Sequence, residues 1–328
     1  MTRSLKNINN NLCVILVKLL LTPDVVTVGD VNIDLITEPL KSNIVNQKDV
    51  EVVTRLHQVL GGNAGNCAMA LAKLGLQSRL IGALSDDPIS IWLINQLKAN
   101  GVEYHNCFKS ITAAITIALT YDDGTRTFLS DFGTNALLSL EDINLKLIDG
   151  KHLHRAGYWW APKMMGSGTK QLFQHAQKHG LTTSLDIGWD PNGWVKTSRE
   201  SVYQCLPFCD ILFLNDKELE SLTQTNLEDG ATSLLERGLH MIGLHYGARG
   251  CKIYTTDGMI HIPSYNVALA NPTGTGDIFN AAFIYGYLHQ WALEKVGRFA
   301  NAAAALHLKN AATPFPTLQE ISTFLDFK

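Results

Sequence analysis

From Asp24 onward, short apolar runs alternate with longer stretches of helical character, and this alternation narrows the fold more than any other feature of the chain. Strands separated by helices pair in parallel, and each crossover helix covers a face of the resulting sheet. Val25-Val26-Thr27-Val28 reads as a first buried strand, 78–84 as another, and 152–158, 182–187, 210–214 and 240–244 as further ones. Between them the pattern predicts helices over 63–74, 89–99 (closed by Asn100-Gly101), 163–179, 198–205 and 216–224. The stretch 276–309 is almost entirely helical and Ala-rich, and a Gly-rich turn at 274–276 opens it. The expected class is a three-layer α/β/α sandwich around a mostly parallel sheet.

Two stretches break the rhythm. Residues 111–130 read as two β runs around Asp122-Asp123-Gly124-Thr125, a hairpin with a tight turn. Residues 35–60 are irregular or β-like. Neither carries a crossover helix, so segments of about 35–60 and 108–130 are expected to form a small β-structured flap on the main domain. A second hairpin is expected over 251–262, turning at Asp257-Gly258.

With 328 residues, 46% hydrophobic and 17% charged, the chain can bury a large core. A net charge of -3 and a pI near 6.4 give no basic excess for nucleic acid, so a small molecule is the expected partner. The apolar run Leu12–Leu21 follows Arg3 and Lys6 and loosely imitates a signal peptide. It is too short to span a bilayer, contains Lys18 and precedes no small-residue cleavage site. Residues 1–22 are therefore expected to be an extension and 23–328 the domain, with no membrane partner. Six scattered cysteines suit buried free thiols in a reducing cytoplasm; Cys205 and Cys209 are spaced like neighbours on a helix, but nothing completes a zinc set.

The chemistry points to Thr273-Gly274-Thr275-Gly276-Asp277, at the head of a helix over 277–289. A helix N-terminus attracts anions, and glycines let the backbone approach a phosphate. Asp277 is placed to take the proton of an attacking hydroxyl, although a carboxylate there also serves the helix dipole alone. The segment lacks the Lys-Ser/Thr pair of a Walker A loop, and Gly29-Asp30-Val31-Asn32-Ile33-Asp34 after the first strand lacks the dinucleotide spacing.

Gly29-Asp30-Val31-Asn32-Ile33-Asp34, Gly61-Gly62-Asn63-Ala64-Gly65-Asn66, Asn215-Asp216-Lys217-Glu218 and the GTGD turn occur together in this order. The chain from about residue 24 thereby resembles the ribokinase-like (PfkB) carbohydrate kinase family. The resemblance implies a ribokinase-like fold and an ATP- and Mg²⁺-dependent transfer of the γ-phosphoryl group to a sugar hydroxyl. It implies Asp277 as base and an anion hole at Gly274, Thr275 and Gly276. It implies Mg²⁺ organised through water by Glu218, and nucleotide contacts from Asn215, His245, Gly247, Gly250 and Asn301. Acceptor contacts fall to Asn32, Asp34, Gly61, Gly62, Asn66 and Asn135. The flap corresponds to the family's lid, and open sheet edges there leave room for a homodimer. Read without the resemblance, Glu218 is also an ordinary solvated carboxylate, and Asn63 or Asn66 a helix N-cap.

Several positions depart from the family pattern. Asn271 stands where an Asp is usual, which puts activation by a monovalent cation in doubt. His245 stands where a Thr is usual, and Asn310-Ala311 replaces a late Gly-Ala. In Asp186–Trp194 the family's Arg is Asp190, which argues mildly against an acidic sugar. Tyr158-Trp159-Trp160, Trp189 and Trp194 keep a nucleoside acceptor open, since a nucleobase needs a stacking surface. A sugar-binding or regulatory protein on the same fold is the alternative from another class.

Overall fold

The computed structural model describes residues 22–41, 53, 55–122, 126–268, 273–309 and 315–325. The large sheet takes strands β1 (Val25–Val28), β4 (Ser78–Gly82), β5 (Glu103–Asn106), β8 (His152–Arg155), β9 (Thr182–Asp186), β10 (Ile211–Asn215), β11 (Met241–His245), β12 (Cys251–Thr255) and β13 (Gly258–Ile262). Its order is β13-β12-β11-β10-β9-β8-β1-β4-β5, parallel except that β12 runs antiparallel to both β11 and β13. The chain starts at β1, builds outward to β4 and β5, then returns to lay β8 on the other side of β1. That reversal of direction opens a crevice at the carboxyl ends of the strands, where α/β sheets bind ligands.

Alternate residues of the strands feed two cores. Ile211 and Phe213 face one layer, Leu212 and Leu214 the other. The first layer holds α1 (Asn63–Lys73), α7 (Thr275–Leu288), α8 (Leu293–Lys309) and α9 (Leu318–Phe324). The opposite layer holds α3 (Ser167–Lys178), α4 (Lys196–Tyr203), α5 (Asp216–Thr223) and α6 (Leu227–Leu235). Helix α2 (Pro88–Ala99) packs beside α1 over β4. The architecture is thus the three-layer sandwich the alternation predicts.

A second sheet of four strands stands apart, in the order β3-β2-β6-β7. It combines β2 (Asn32–Thr37), β3 (Leu56–Gly61), β6 (Ala114–Thr120) and β7 (Arg126–Asp131). Strand β2 pairs antiparallel with β3 and parallel with β6, so the two irregular stretches of sequence meet in one sheet. Residues 42–52, 54 and 123–125, which belong to those stretches, lie outside the described residues, as do residues 1–21 of the extension expected over 1–22.

Several local expectations need correction. Strand β1 stops at Val28, and Asn32 and Asp34 belong to the start of β2 in the second sheet and not to the first strand's run. Neither Asn63 nor Asn66 caps α1. Gly62 is its N-cap, and the Asp30 carboxylate accepts from the N–H groups of Asn63 at 3.0 Å and Ala64 at 3.1 Å. Cys205 and Cys209 do not share a helix, because the short 3-10 turn Leu206–Phe208 separates them. Strand β5 and helix α6 were not anticipated.

Candidate active site

Gly274 takes a left-handed φ of 82°, which a residue with a Cβ adopts only under strain, and this turn starts α7. The first turn of that helix presents its N–H groups and positive dipole end at the carboxyl edge of the sheet. Asp277 in this turn is 5% exposed and accepts a hydrogen bond from Asn66 Nδ2 at 2.9 Å. Burial, then the charge of Asp186, push the Asp277 carboxyl well above the usual range, and the Asn66 amide opposes them.

Asp34 and Asn66 line one cavity of about 650 Å³ between the second sheet, α1, α2 and the C-terminal segment. Asn32 Nδ2 donates to Asp34 Oδ1. Gly61 lies flat against the same carboxylate: a Cβ there would meet Asp34 Oδ2 at 2.3 Å. Burial raises the Asp34 pKa to about 7 against that hydrogen bond from Asn32. Asp34 and Asn66 thus line one cavity, Asn32 and Gly61 lie against the Asp34 carboxylate, and Asn66 ties the cavity to Asp277.

On the other side of α7, Asn215 and His245 end β10 and β11 and are directly paired in register. Asn215 and Glu218 form a reciprocal capping box. Asn215 Oδ1 accepts from the Glu218 N–H at 2.9 Å, and Glu218 Oε2 accepts from the Asn215 N–H at 2.8 Å. Glu218 is 7% exposed, which overturns the reading of a solvated carboxylate, and burial pushes its pKa to about 7.

His245 Nε2 lies 2.8 Å from Asn280 Oδ1, while Asn280 Nδ2 donates to Asp186 Oδ2 at 2.6 Å. This orientation of the amide requires the proton on Nε2. Burial lowers the ring's pKa to about 4, so Nδ1 carries no proton. A Cβ on Gly276 would lie 3.2 Å from His245 Cε1, so the ring backs the Gly-rich turn. In this arrangement the one N–H of His245 is committed to Asn280.

Asp186, at the end of β9, also accepts from the Gly188 N–H at 3.1 Å. Burial and then repulsion from Glu218 raise its pKa to about 8. Among the described residues, no three metal-ligating side chains converge closely enough to hold a metal ion alone. The mutually repelling carboxyls of Asp186, Glu218 and Asp277 nevertheless suit a divalent cation held through water and phosphate oxygens, the usual state of Mg²⁺.

Other expected residues are placed elsewhere. Asn135 bridges the Val31 backbone, accepting from its N–H at 3.1 Å and donating to its carbonyl at 3.0 Å, so its polar ends serve the fold. Asn301 Nδ2 donates to the carbonyls of Ile262 and Pro263 and anchors the end of β13, against which Gly250 also packs. Gly247 opens the 3-10 turn that leads from β11 to β12. Gly62 lies against the Asp30 carbonyl. Trp159 and Trp194 stack edge-on with each other and with Tyr158 and Trp189, which commits them to packing. Asp190 is fully buried and accepts from the N–H groups of Asn192 and Trp194, each at 2.8 Å, so it closes its own loop. Asn271, Asn310 and Ala311 lie outside the described residues.

Sequence reasoning gave no role to Asp30, Arg126, Asp186 or Asn280. Asn280 had one local signal, its position three residues after Asp277. Arg126 opens β7 and donates to Thr273 Oγ1, beside the Gly-rich turn.

The profile of pfkB family carbohydrate kinases matches residues 22–319. An ATP-dependent ribose-1-phosphate kinase of Halopiger xanaduensis is 27% identical over 305 residues, spanning 92% of this chain and 97% of its own. A 5-dehydro-2-deoxygluconokinase of Geobacillus thermodenitrificans is 24% identical over 318 residues, spanning 92% and 93%. The crystal structure of a putative ribokinase II from E. coli in complex with ATP and Mg²⁺ superposes with a TM-score of 0.81 at 20% identity, covering 93% of this chain and all of that one, and so shares the fold. With the profile spanning nearly the whole chain, this protein belongs to the pfkB family of carbohydrate kinases.

Proposed function

We propose that this kinase transfers the γ-phosphoryl group of ATP to a sugar hydroxyl, with Asp277 as general base and the 274–276 turn as anion hole. The observation that carries it is the place of Asp277. It heads α7 beside the Gly-rich turn and is tied through Asn66 to the cavity that Asp34 lines. The acceptor hydroxyl gives its proton to Asp277 as its oxygen forms a bond to the γ-phosphorus; the bond from phosphorus to the bridging oxygen breaks and ADP departs. The anion turn receives the charge on the transferring group. Glu218 and Asp186 would orient Mg²⁺ through water, and the bound ion would neutralise phosphate charge.

The four-stranded sheet acts as the lid, closing over the acceptor so that water does not compete for the phosphoryl group. Leu56, Phe128 and Leu129 are exposed on it, and a homodimer would use this surface; light scattering decides that point. Five of the cysteines are buried and unpaired, which fits a cytoplasmic enzyme. Among the described residues no helix is long and apolar enough to cross a membrane.

An ADP-release assay over a panel of sugars tests the proposal. Turnover of at least one sugar is expected in the native enzyme and near-complete loss in Asp277→Asn; full activity in that variant would remove Asp277 from the mechanism. Trp159 and Trp194 are committed to packing, which weakens the nucleoside alternative, while Trp189 keeps 55% of its surface exposed and Trp160 rests on Phe132.

A further inference from the structure

The cavity that holds Asp34 has a second end. Register places Asp34 opposite Thr116, and Thr120, four residues along β6, opposite Arg126. Directly paired residues and residues two apart along a strand point to the same face. Asp34 and Arg126 therefore share the inner face of the small sheet, roughly 16 Å apart at Cα, and both line the cavity.

Arg126 is half-buried, and burial lowers its pKa. Among the described residues it meets no carboxylate: its guanidinium donates to the neutral hydroxyl of Thr273, and its buried Nε has no partner. Lys73, on the cavity wall, likewise forms no ion pair among the described residues. The acids nearest to hand are committed elsewhere, Glu38 to His57 and Glu320 to the cap of α9. A desolvated guanidinium without a counter-charge is costly, and its planar fork matches carboxylate and phosphate oxygens.

We propose that the acceptor is an anionic sugar, with hydroxyls held by Asp34 and a phosphate or carboxylate group held by Arg126. This rests on the kinase reading above and names its substrate class. The replacement of the family's Arg by Asp190 no longer counts against an acidic acceptor. Asp190 closes its own loop, and the positive charge comes from the small sheet instead.

The test compares kcat/KM for ribose with ribose 1-phosphate and ribose 5-phosphate, and for fructose with 2-keto-3-deoxygluconate, in native enzyme, Arg126→Gln and Arg126→Lys. The phosphate and carboxylate arms separate the two sources of charge. Native enzyme is expected to prefer an anionic acceptor by roughly 10²-fold, Arg126→Gln to lose that preference through KM, and Arg126→Lys to keep part of it. A native preference for the neutral sugar overturns the proposal. So does an Arg126→Gln loss in kcat that is equal for neutral and anionic acceptors, which would assign the side chain to the transferring phosphoryl group. If no acceptor turns over, the kinase reading is what fails, and calorimetry with ribose 1-phosphate against ribose then decides. Tighter binding of the phosphate that Arg126→Gln abolishes supports the anion site, and equal binding overturns it.

Discussion

Asn66 and Asp277 are 211 residues apart in the chain, yet the Asn66 amide donates to the Asp277 carboxylate at 2.9 Å inside a site that water barely reaches. The bond stabilises the charged form of a carboxyl whose pKa burial and the charge of Asp186 push up. Asn66 thus links the cavity to the proposed base, and two substitutions test that link.

Asp277→Asn removes the proposed base and is expected to lower kcat by ~10²–10⁴-fold with little change in KM for ATP. Asn66→Ala leaves the base but withdraws the bond that lowers its pKa. The acidic limb of the kcat profile is therefore expected to move to higher pH, with part of the lost rate recovered by pH 9. An unmoved limb would show that Asn66 serves only the acceptor.

Glu218 caps its helix and is proposed to orient Mg²⁺, and the two roles come apart. Glu218→Gln still offers an oxygen to the Asn215 N–H, so the capping box survives and thermal stability is expected to hold. The Mg²⁺ concentration at half-maximal rate should rise. Asn215→Ala breaks the cap and should cost about 1 kcal/mol of stability, read from a denaturant midpoint.

The same pair shows how far the sequence could be read. A capping box requires a spacing of three, and so does the N-x-x-E motif, so spacing alone could not separate a helix cap from a cation site. The parallel sheet was legible because buried strands write continuous apolar runs. Strand β5, Glu-Tyr-His-Asn at an edge, carries no such run, and its pairing with β4 is a tertiary fact. The irregular stretches could be recognised as flap, but not that β2 lies parallel to β6 across 82 residues, which sets Asp34 and Arg126 on one face. The hydrogen-bonding state of His245 was not legible for a related reason. Its donor capacity depends on Asn280, whose orientation depends on Asp186, and a non-local chain of hydrogen bonds leaves no periodic trace.

Gly61 offers a test of acceptor geometry apart from catalysis. A methyl group at this position would enter the space of the Asp34 carboxylate, 2.3 Å from Oδ2. The obstacle is the end of a side chain and not backbone, so Gly61→Ala is expected to fold and to displace Asp34. KM for the acceptor should rise at least tenfold while KM for ATP stays put, a loss of roughly 1.4 kcal/mol in acceptor binding. Equal changes in both constants would instead point to a general loosening of the lid.

Asp186 makes the strongest prediction about pH. Its pKa is raised to about 8 in the native chain by burial and by Glu218, against an ordinary value of 3.8 when unfolded. Between those values the folded state keeps a proton that the unfolded state releases, so this group's contribution to stability falls as pH rises from about 4 to 8 and is level beyond. Asp186→Asn removes the titration while its side-chain oxygen can still accept from Asn280 or Gly188. The variant's Tm is expected to match native near pH 4 and to exceed it increasingly up to pH 8, by the equivalent of about 1 kcal/mol or more. Activity should fall over the same range, because a neutral amide orients a hydrated cation poorly. A Tm difference that does not vary with pH would mean that Asp186 is ionised throughout, already paired with a cation in the resting enzyme.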